Sequence, residues 1–125
     1  MKVEWNTGLI AHLGIELVEV TPDRVVARLA VTEKLMTVGG TIYGGTLMAF
    51  ADTIGAAGTV ANLAEGQRTA TLESKTNFIA GCRSGTVQAE ARPIHKGKRT
   101  HVWETRITDE AGKLLSITTQ TQMIL

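Results

Sequence analysis

The segment GGTIYGGTLMAFADTIGAAGT, residues 39–59, decides the fold of this chain. It is rich in glycine and alanine and carries a single charged residue, Asp52. Its apolar residues recur at helical spacing, which predicts one long helix over about residues 45–63 with one face packed against a sheet. The residues expected on the sheet-facing side are Leu47, Phe50, Ala51, Ile54, Ala57, Gly58 and Ala61.

Asp52 is predicted to point away from that side, because it lies two residues from both Phe50 and Ile54. Its neighbours at three and four residues are small or apolar, namely Met48, Ala49, Gly55 and Ala56. Solvent-facing helix surfaces normally carry long charged side chains, and no Lys, Arg, Glu or Gln lies between Gly44 and Ala64. A second copy of the chain that covers this face is the simplest explanation. An exposed or purely structural acid is the alternative.

The segments on either side of the helix are predicted to form strands. A short helix ends at Gly14, and IELVEV and RVVARLAV flank the turn TPD as a hairpin. A loop over about residues 32–44 leads into the long helix, and four strand-like runs follow it, joined by AGCRSG, KGK and DEAGK. We therefore expect one α+β domain over residues 1–125, with an antiparallel sheet of about six strands wrapped around one central helix.

Composition excludes several classes of function. A net charge of +1 gives no overall attraction to nucleic acid or to an anionic membrane, so neither is expected as a partner. The single cysteine, Cys82, forms no intrachain disulfide and fits a reducing compartment, so a cytoplasmic location is predicted. His12, His95 and His101 lack the spacing of metal ligands, and no phosphate-binding or dinucleotide motif is present. No metal or cofactor is expected.

The chain resembles the hotdog-fold acyl-CoA thioesterases, specifically the phenylacetate-degradation (PaaI-like) and 4-hydroxybenzoyl-CoA thioesterase branch. Four segments carry the resemblance in order: HLGIELVEVTPDRVVARL, GTIYGGTLMAFADTIG, TLESKTNFI and DEAGKLLSITTQTQMI. Together they cover nearly the whole chain. The resemblance implies a hotdog fold and hydrolysis of an acyl-CoA.

The same resemblance implies roles for individual residues. The backbone N–H of Gly44 would bind the thioester carbonyl oxygen, Asp52 would be the catalytic carboxylate, and Thr71 would position water or that carboxylate. The family usually has His before the glycine pair, where this chain has Tyr43. Tyrosine can donate a hydrogen bond but does not exchange protons near neutral pH.

These residue types suit thioester hydrolysis. Free N–H groups at a helix N-terminus stabilise a developing oxyanion, and glycine at 44 and 45 lets an acyl group approach the backbone. A carboxylate in an apolar setting gains basicity and can act as a nucleophile or as a general base. Eight residues of helix separate Gly44 from Asp52 by about 12 Å, too far for both to serve one carbonyl. We therefore expect a homo-oligomer, dimer or tetramer, whose active sites join Gly44 of one subunit to Asp52 of another.

A cationic turn, HKGKR at residues 95–99, is a second candidate binding element. Lys96, Lys98 and Arg99 would bind the phosphates of coenzyme A, or they would only form a solvated hairpin tip. The preferred function is hydrolysis of an aromatic or medium-chain acyl-CoA. The alternatives are a non-catalytic acyl-CoA-binding hotdog module and a hydratase, which would need a His near the helix.

Overall fold

The computed structural model describes residues 1–125 and contains two α-helices and six strands. Their bounds are α1 (Gly8–Leu13), β1 (Glu16–Thr21), β2 (Arg24–Ala30), α2 (Gly44–Val60), β3 (Thr69–Phe78), β4 (Thr86–Lys96), β5 (Thr100–Thr108) and β6 (Leu114–Ile124). All strand pairs are antiparallel, and the order across the sheet is β1-β2-β4-β5-β6-β3. The sheet curves around α2, which contacts all six strands. Neither helix is long and apolar enough to cross a membrane.

The long helix begins one residue earlier than predicted and ends three residues earlier. At its C-terminal end the Asn62 side chain donates hydrogen bonds to the carbonyl oxygens of Gly58 and Pro22, each at 2.8 Å. These bonds draw the chain out of the helix towards the β1–β2 turn. Ala61 consequently lies outside α2 and is exposed, so its predicted place on the sheet-facing side is wrong. The other six residues predicted for that side are buried.

The inner face of the sheet is apolar in one half and more polar in the other, where Trp103 and Ile107 of β5 lie among polar residues. Under β2 and β4 it carries Val25, Ala27, Leu29, Val87, Ala89 and Ala91, all buried. Under β5 and β6 it carries His101, Thr105, Ser116, Thr118, Gln120 and Gln122, which are also buried. Buried polar groups normally have hydrogen-bond partners. His101, Thr118 and Gln122 have them, whereas Thr105 Oγ1, Ser116 Oγ and Gln120 Oε1 have none within the chain. The more polar half lies next to the edge strand β3, on the side of α2 that carries Asp52.

Candidate active site

Asp52 and Thr71 are brought together by the pairing of β3 with β6. The Thr71 Oγ1 hydroxyl donates a hydrogen bond of 2.7 Å to Asp52 Oδ1. Thr71 is paired with Gln122 of β6, and a bulge directly after it leaves Leu72 without a partner. Bulges re-aim side chains next to functional sites, and this one separates the inward-facing Thr71 from the outward-facing Glu73. Two residues that the sequence analysis singled out therefore meet, although they lie 19 positions apart.

Two buried glutamines complete this cluster, and the sequence analysis missed both. Gln122 Nε2 donates to Thr71 Oγ1 at 2.6 Å, and Gln120 Nε2 lies 3.4 Å from Asp52 Oδ1. The signal was present in TTQTQM, where the two glutamines alternate with threonines and so share one face of a strand. Long amides on the inner face of a sheet are uncommon unless a buried polar group needs them.

Gln120 also changes the interpretation of the helix face around Asp52. The amide of Gln120 occupies the space beside Gly55, where an added Cβ would lie only 2.2 Å from Gln120 Oε1. Gly55 is thus covered by β6 of the same chain, not left for another subunit as the sequence analysis assumed. Met48 remains exposed, and Ala49, Asp52 and Ala56 remain partly exposed on this face.

The start of α2 presents two backbone N–H groups without acceptors. Neither Gly44 nor Gly45 donates a hydrogen bond within the chain, and the N-cap residue Tyr43 provides no side-chain cap. Aromatic rings flank both glycines: an added Cβ would lie 3.1 Å from the Phe78 ring at Gly44 and 2.8 Å from the Tyr43 ring at Gly45. An alanine at position 45 would therefore displace the exposed Tyr43 ring, and the free N–H groups lie between two exposed rings.

A cleft of about 400 Å³ opens beside Gly44. Two hydroxyl groups and several apolar side chains line it, from Thr37, Thr41, Ile42, Leu47, Phe78, Ile79 and Ala80. An apolar cleft with few polar groups is typical of a small-molecule site. Within one chain the cleft and Asp52 stay apart, because Gly44 and Asp52 are separated by about 12 Å along α2.

The three cations of the predicted phosphate-binding turn have different surroundings. Lys96 Nζ is bound by Asp23 Oδ1 at 2.6 Å and by Asn62 Oδ1 at 3.2 Å. Lys98 and Arg99 are exposed, and their side chains make no hydrogen bond or ion pair within the chain. Because Lys96 reaches Asn62, the turn lies near the C-terminal end of α2, away from Gly44.

His101 lies beside Gln122 on the neighbouring strand but belongs to a separate contact. Its Nδ1 is 3.1 Å from Thr59 Oγ1, which also accepts a hydrogen bond of 2.9 Å from the Trp103 indole. Burial lowers the pKa of His101, and the nearby charges of Lys96 and His95 lower it further. A neutral imidazole bonded to a buried hydroxyl anchors the C-terminal part of α2 to the sheet.

Comparison with known proteins agrees with this architecture. The model of the Thioesterase superfamily matches residues 39–116. A 1,4-dihydroxy-2-naphthoyl-CoA hydrolase of Listeria monocytogenes is 38% identical over 110 residues, covering 88% of this chain and 89% of the relative. The Escherichia coli hydrolase of the same name is 30% identical over 119 residues, covering 94% and 87%. A crystal structure of a Haemophilus influenzae thioesterase superposes with a TM-score of 0.90 at 32% identity, covering 94% and 82%. The predicted hotdog fold and thioester hydrolase class are confirmed, and the chain belongs to the Thioesterase superfamily.

Proposed function

We propose that this protein hydrolyses an aromatic or medium-chain acyl-CoA to the free acid and coenzyme A. The observation that carries the proposal is the hydrogen bond from Thr71 to Asp52, which holds the one carboxylate of α2 at the helix face in a member of the Thioesterase superfamily. Similarity to hydrolases named for a naphthoyl-CoA supports the aromatic choice. The single cysteine fits a cytoplasmic setting.

The start of α2 supports the aromatic choice independently. Tyr43 and Phe78 are two of the five aromatic residues in the chain, and both are exposed beside the free N–H groups of Gly44 and Gly45. Planar acyl groups gain stacking energy from such rings, whereas an aliphatic chain gains only its burial. We propose Tyr43 and Gly45 as substrate-binding residues on this basis.

The proposed chemistry needs two groups at the thioester carbon. The Gly44 N–H would donate to the carbonyl oxygen as negative charge develops on it, with help from the positive end of the helix dipole. The Asp52 carboxylate would attack the carbon or remove a proton from the attacking water. Since one chain holds these groups too far apart, the two would come from different subunits.

The edge of the sheet supports such a homodimer. Strand β3 is ten residues long and pairs only with β6, so its other edge carries unpaired backbone groups. Edge strands of this length are usually paired or covered. Leu72 and Phe78 are exposed along β3, and Met48 is exposed on α2 one turn before Asp52. A second copy that added its own β3 across a twofold axis would cover these apolar groups and bring the two α2 helices together.

We therefore expect light scattering to give at least the mass of a dimer at micromolar concentration. As a control, replacing Thr76 of β3 should leave this mass unchanged, because its hydroxyl is hydrogen-bonded to Thr118 of the same chain. A proline at Ser74 of β3 tests the edge itself. The Lys75 N–H faces β6, so the N–H of the neighbouring Ser74 lies on the free edge, where proline removes it. A fully active monomer would contradict the shared-site arrangement.

A second prediction concerns the cationic turn. Removing the charges of Lys98 and Arg99 together should raise KM for acyl-CoA about two- to fivefold with little change in kcat, because exposed charge contacts stabilise ground and transition states alike. Lys96→Met should change KM less, since Asp23 and Asn62 already bind its ammonium group. Steady-state kinetics with acyl-CoA and with a short thioester lacking the nucleotide give the comparison. Equal effects on both substrates would assign the turn a purely structural role.

The proposed activity is tested by measuring thiol release from a panel of acyl-CoAs. We expect turnover, with kcat/KM for benzoyl-type and naphthoyl-type substrates above that for hexanoyl-CoA. Reversal of that order would favour the medium-chain alternative. Binding of acyl-CoA without thiol release would instead identify a non-catalytic binding module.

A further inference from the structure

The direction of each hydrogen bond around Asp52 follows from the chemistry of the groups. An ionised carboxylate only accepts hydrogen bonds, so at 2.7 Å the Thr71 hydroxyl must donate to Asp52 Oδ1. With its one hydrogen used, Thr71 Oγ1 can only accept from Gln122, which lies 2.6 Å away. The Gln122 amide must therefore turn its NH₂ towards Thr71.

The far end of the Gln122 amide lies against Thr69. The Thr69 hydroxyl is 2.9 Å from Gln122 Oε1 and 2.8 Å from the Met123 carbonyl oxygen, so these two acceptors share its one hydrogen. The reverse amide orientation would place Oε1 against Thr71 and take the hydroxyl hydrogen away from Asp52. Gln122 is fully buried, so no bulk water can replace either bond. The chain of bonds from Gln122 through Thr71 to Asp52 thus has one consistent direction.

The two oxygens of Asp52 consequently differ. Oδ1 accepts from Thr71 and receives a longer contact of 3.4 Å from Gln120, whereas Oδ2 has no hydrogen bond within the chain. Gln120 also lies 3.3 Å from the Asp52 carbonyl oxygen, which ties the same amide to the helix backbone. The amide fits there only because residue 55 is glycine.

We propose that Gln122 is a positioning residue that acts through Thr71, fixing the Asp52 carboxylate by Oδ1 and leaving Oδ2 as the oxygen that reacts. This inference rests on the proposed function of Asp52. It assigns a role to a buried residue that touches neither the substrate nor the carboxylate directly. Positioning through locked hydrogen bonds is how a reactive group is held within a fraction of an ångström of its working geometry.

The test removes the donor and keeps the volume. Gln122→Met should lower kcat about tenfold and leave KM nearly unchanged, because Thr71 loses the hydrogen bond that holds its hydroxyl towards Asp52 and the carboxylate loses its position. The acid limb of the kcat/KM–pH profile should move to higher pH, because the ionised carboxylate has lost support. Thr71→Val should act in the same direction, whereas Thr71→Ser should retain most activity because it keeps the hydroxyl.

Gln122→Glu gives the opposite pH dependence. As its carboxyl ionises, it can only accept, so it competes with Asp52 for the Thr71 hydrogen. We expect activity to fall further as pH rises, unlike the Gln122→Met variant. Thr118→Val is the matched control, since it removes the 2.7 Å bond between Thr76 and Thr118 in the same pair of strands without touching Asp52. It should lower the melting temperature without moving the pH profile.

The outcomes separate this inference from the function on which it rests. If Asp52→Asn abolishes turnover while Gln122→Met and Thr71→Val leave the pH profile in place, the positioning role is overturned and the proposed function stands. If Asp52→Asn is fully active, Asp52 is not the catalytic carboxylate, and the proposed function of the site is wrong independently of Gln122. Should Gln122→Met not fold, Gln122→Glu decides the question, because it keeps the length of the side chain and its pH dependence reports on the bond to Thr71.

Discussion

Asp52→Asn is expected to lower kcat by a factor on the order of 10²–10⁴, the range for a lost general base. The substitution is unusually selective here, because the amide oxygen of asparagine can still accept the hydrogen bond from Thr71 at the position of Oδ1. Only the charge and the oxygen at Oδ2 are lost. Thiol release from the best acyl-CoA substrate measures the effect.

The control for this experiment is Asp109→Asn, in the β5–β6 turn. Asp109 Oδ1 accepts hydrogen bonds of 2.9 Å from the backbone N–H groups of Ala111 and Lys113, far along the chain from the site. Its replacement removes the same charge and should leave turnover unchanged. Near-normal turnover in the Asp52→Asn protein would contradict the assignment of Asp52 as the catalytic carboxylate.

A mixed dimer extends the same test to the shared site. One subunit carries Asp52→Asn, and the other carries a substitution at Gly44 that fills the space beside the Phe78 ring. If each site combines groups from two chains, one site has both defects and the other has none. Such a dimer retains roughly half the activity of the parent, whereas sites built within one chain would leave it inactive.

Gly58→Ala is expected to lower the free energy of unfolding by about 1–2 kcal/mol, which is the usual cost of overpacking a core, about 1–3 kcal/mol, reduced by the helix propensity that alanine gains. An alanine Cβ at this position would lie 2.5 Å from the Trp103 ring. The ring is fully buried, and its indole N–H is held by Thr59 at 2.9 Å, so it has little freedom to move away. Alanine gains about 1 kcal/mol in helix propensity over glycine, which does not offset the clash.

Chemical denaturation of Gly58→Ala, of Trp103→Phe and of the variant that combines them gives the measurement. The smaller phenyl ring makes room for the methyl group, so the combined loss should be less than the sum of the two single losses. Additive losses of stability, or a Gly58→Ala protein as stable as the parent, would contradict this prediction and show that the Trp103 ring moves aside easily.

Local sequence patterns determined the helices, the strands and the candidate residues on the helix. Helical spacing located α2 to within three residues at either end, and turn chemistry separated all six strands. Asp52 was conspicuous because it is the only charge in a long uncharged stretch. Each of these features depends on neighbours in the chain, which is the range over which propensity and periodicity act.

Strand β6 shows what local sequence patterns could not predict, namely which face of a strand is buried. Its inner face carries Ser116, Thr118, Gln120 and Gln122, which are all buried, whereas the apolar Ile117 and Met123 on its outer face are partly exposed. Alternation along the strand does not show which of its two faces is buried, and hydrophobicity would place the face with the apolar residues in the core. The order of strands in the sheet decided between them, because it set β6 between β5 and β3 with its inner face against Asp52.

Long-range pairing also gave different contacts to residues that look alike in the sequence. Lys96, Lys98 and Arg99 form one cationic run, yet only Lys96 meets Asp23, 73 positions away. Thr71 became part of the site because β3 pairs with β6 in a register that puts it beside Gln122. The sequence by itself determined which residues of the long helix and the cationic turn are candidates for chemistry. Only the tertiary structure decided which of them meet, because a hydrogen bond a few ångströms long depends on strand register and order, and neither is encoded in any short stretch of the chain.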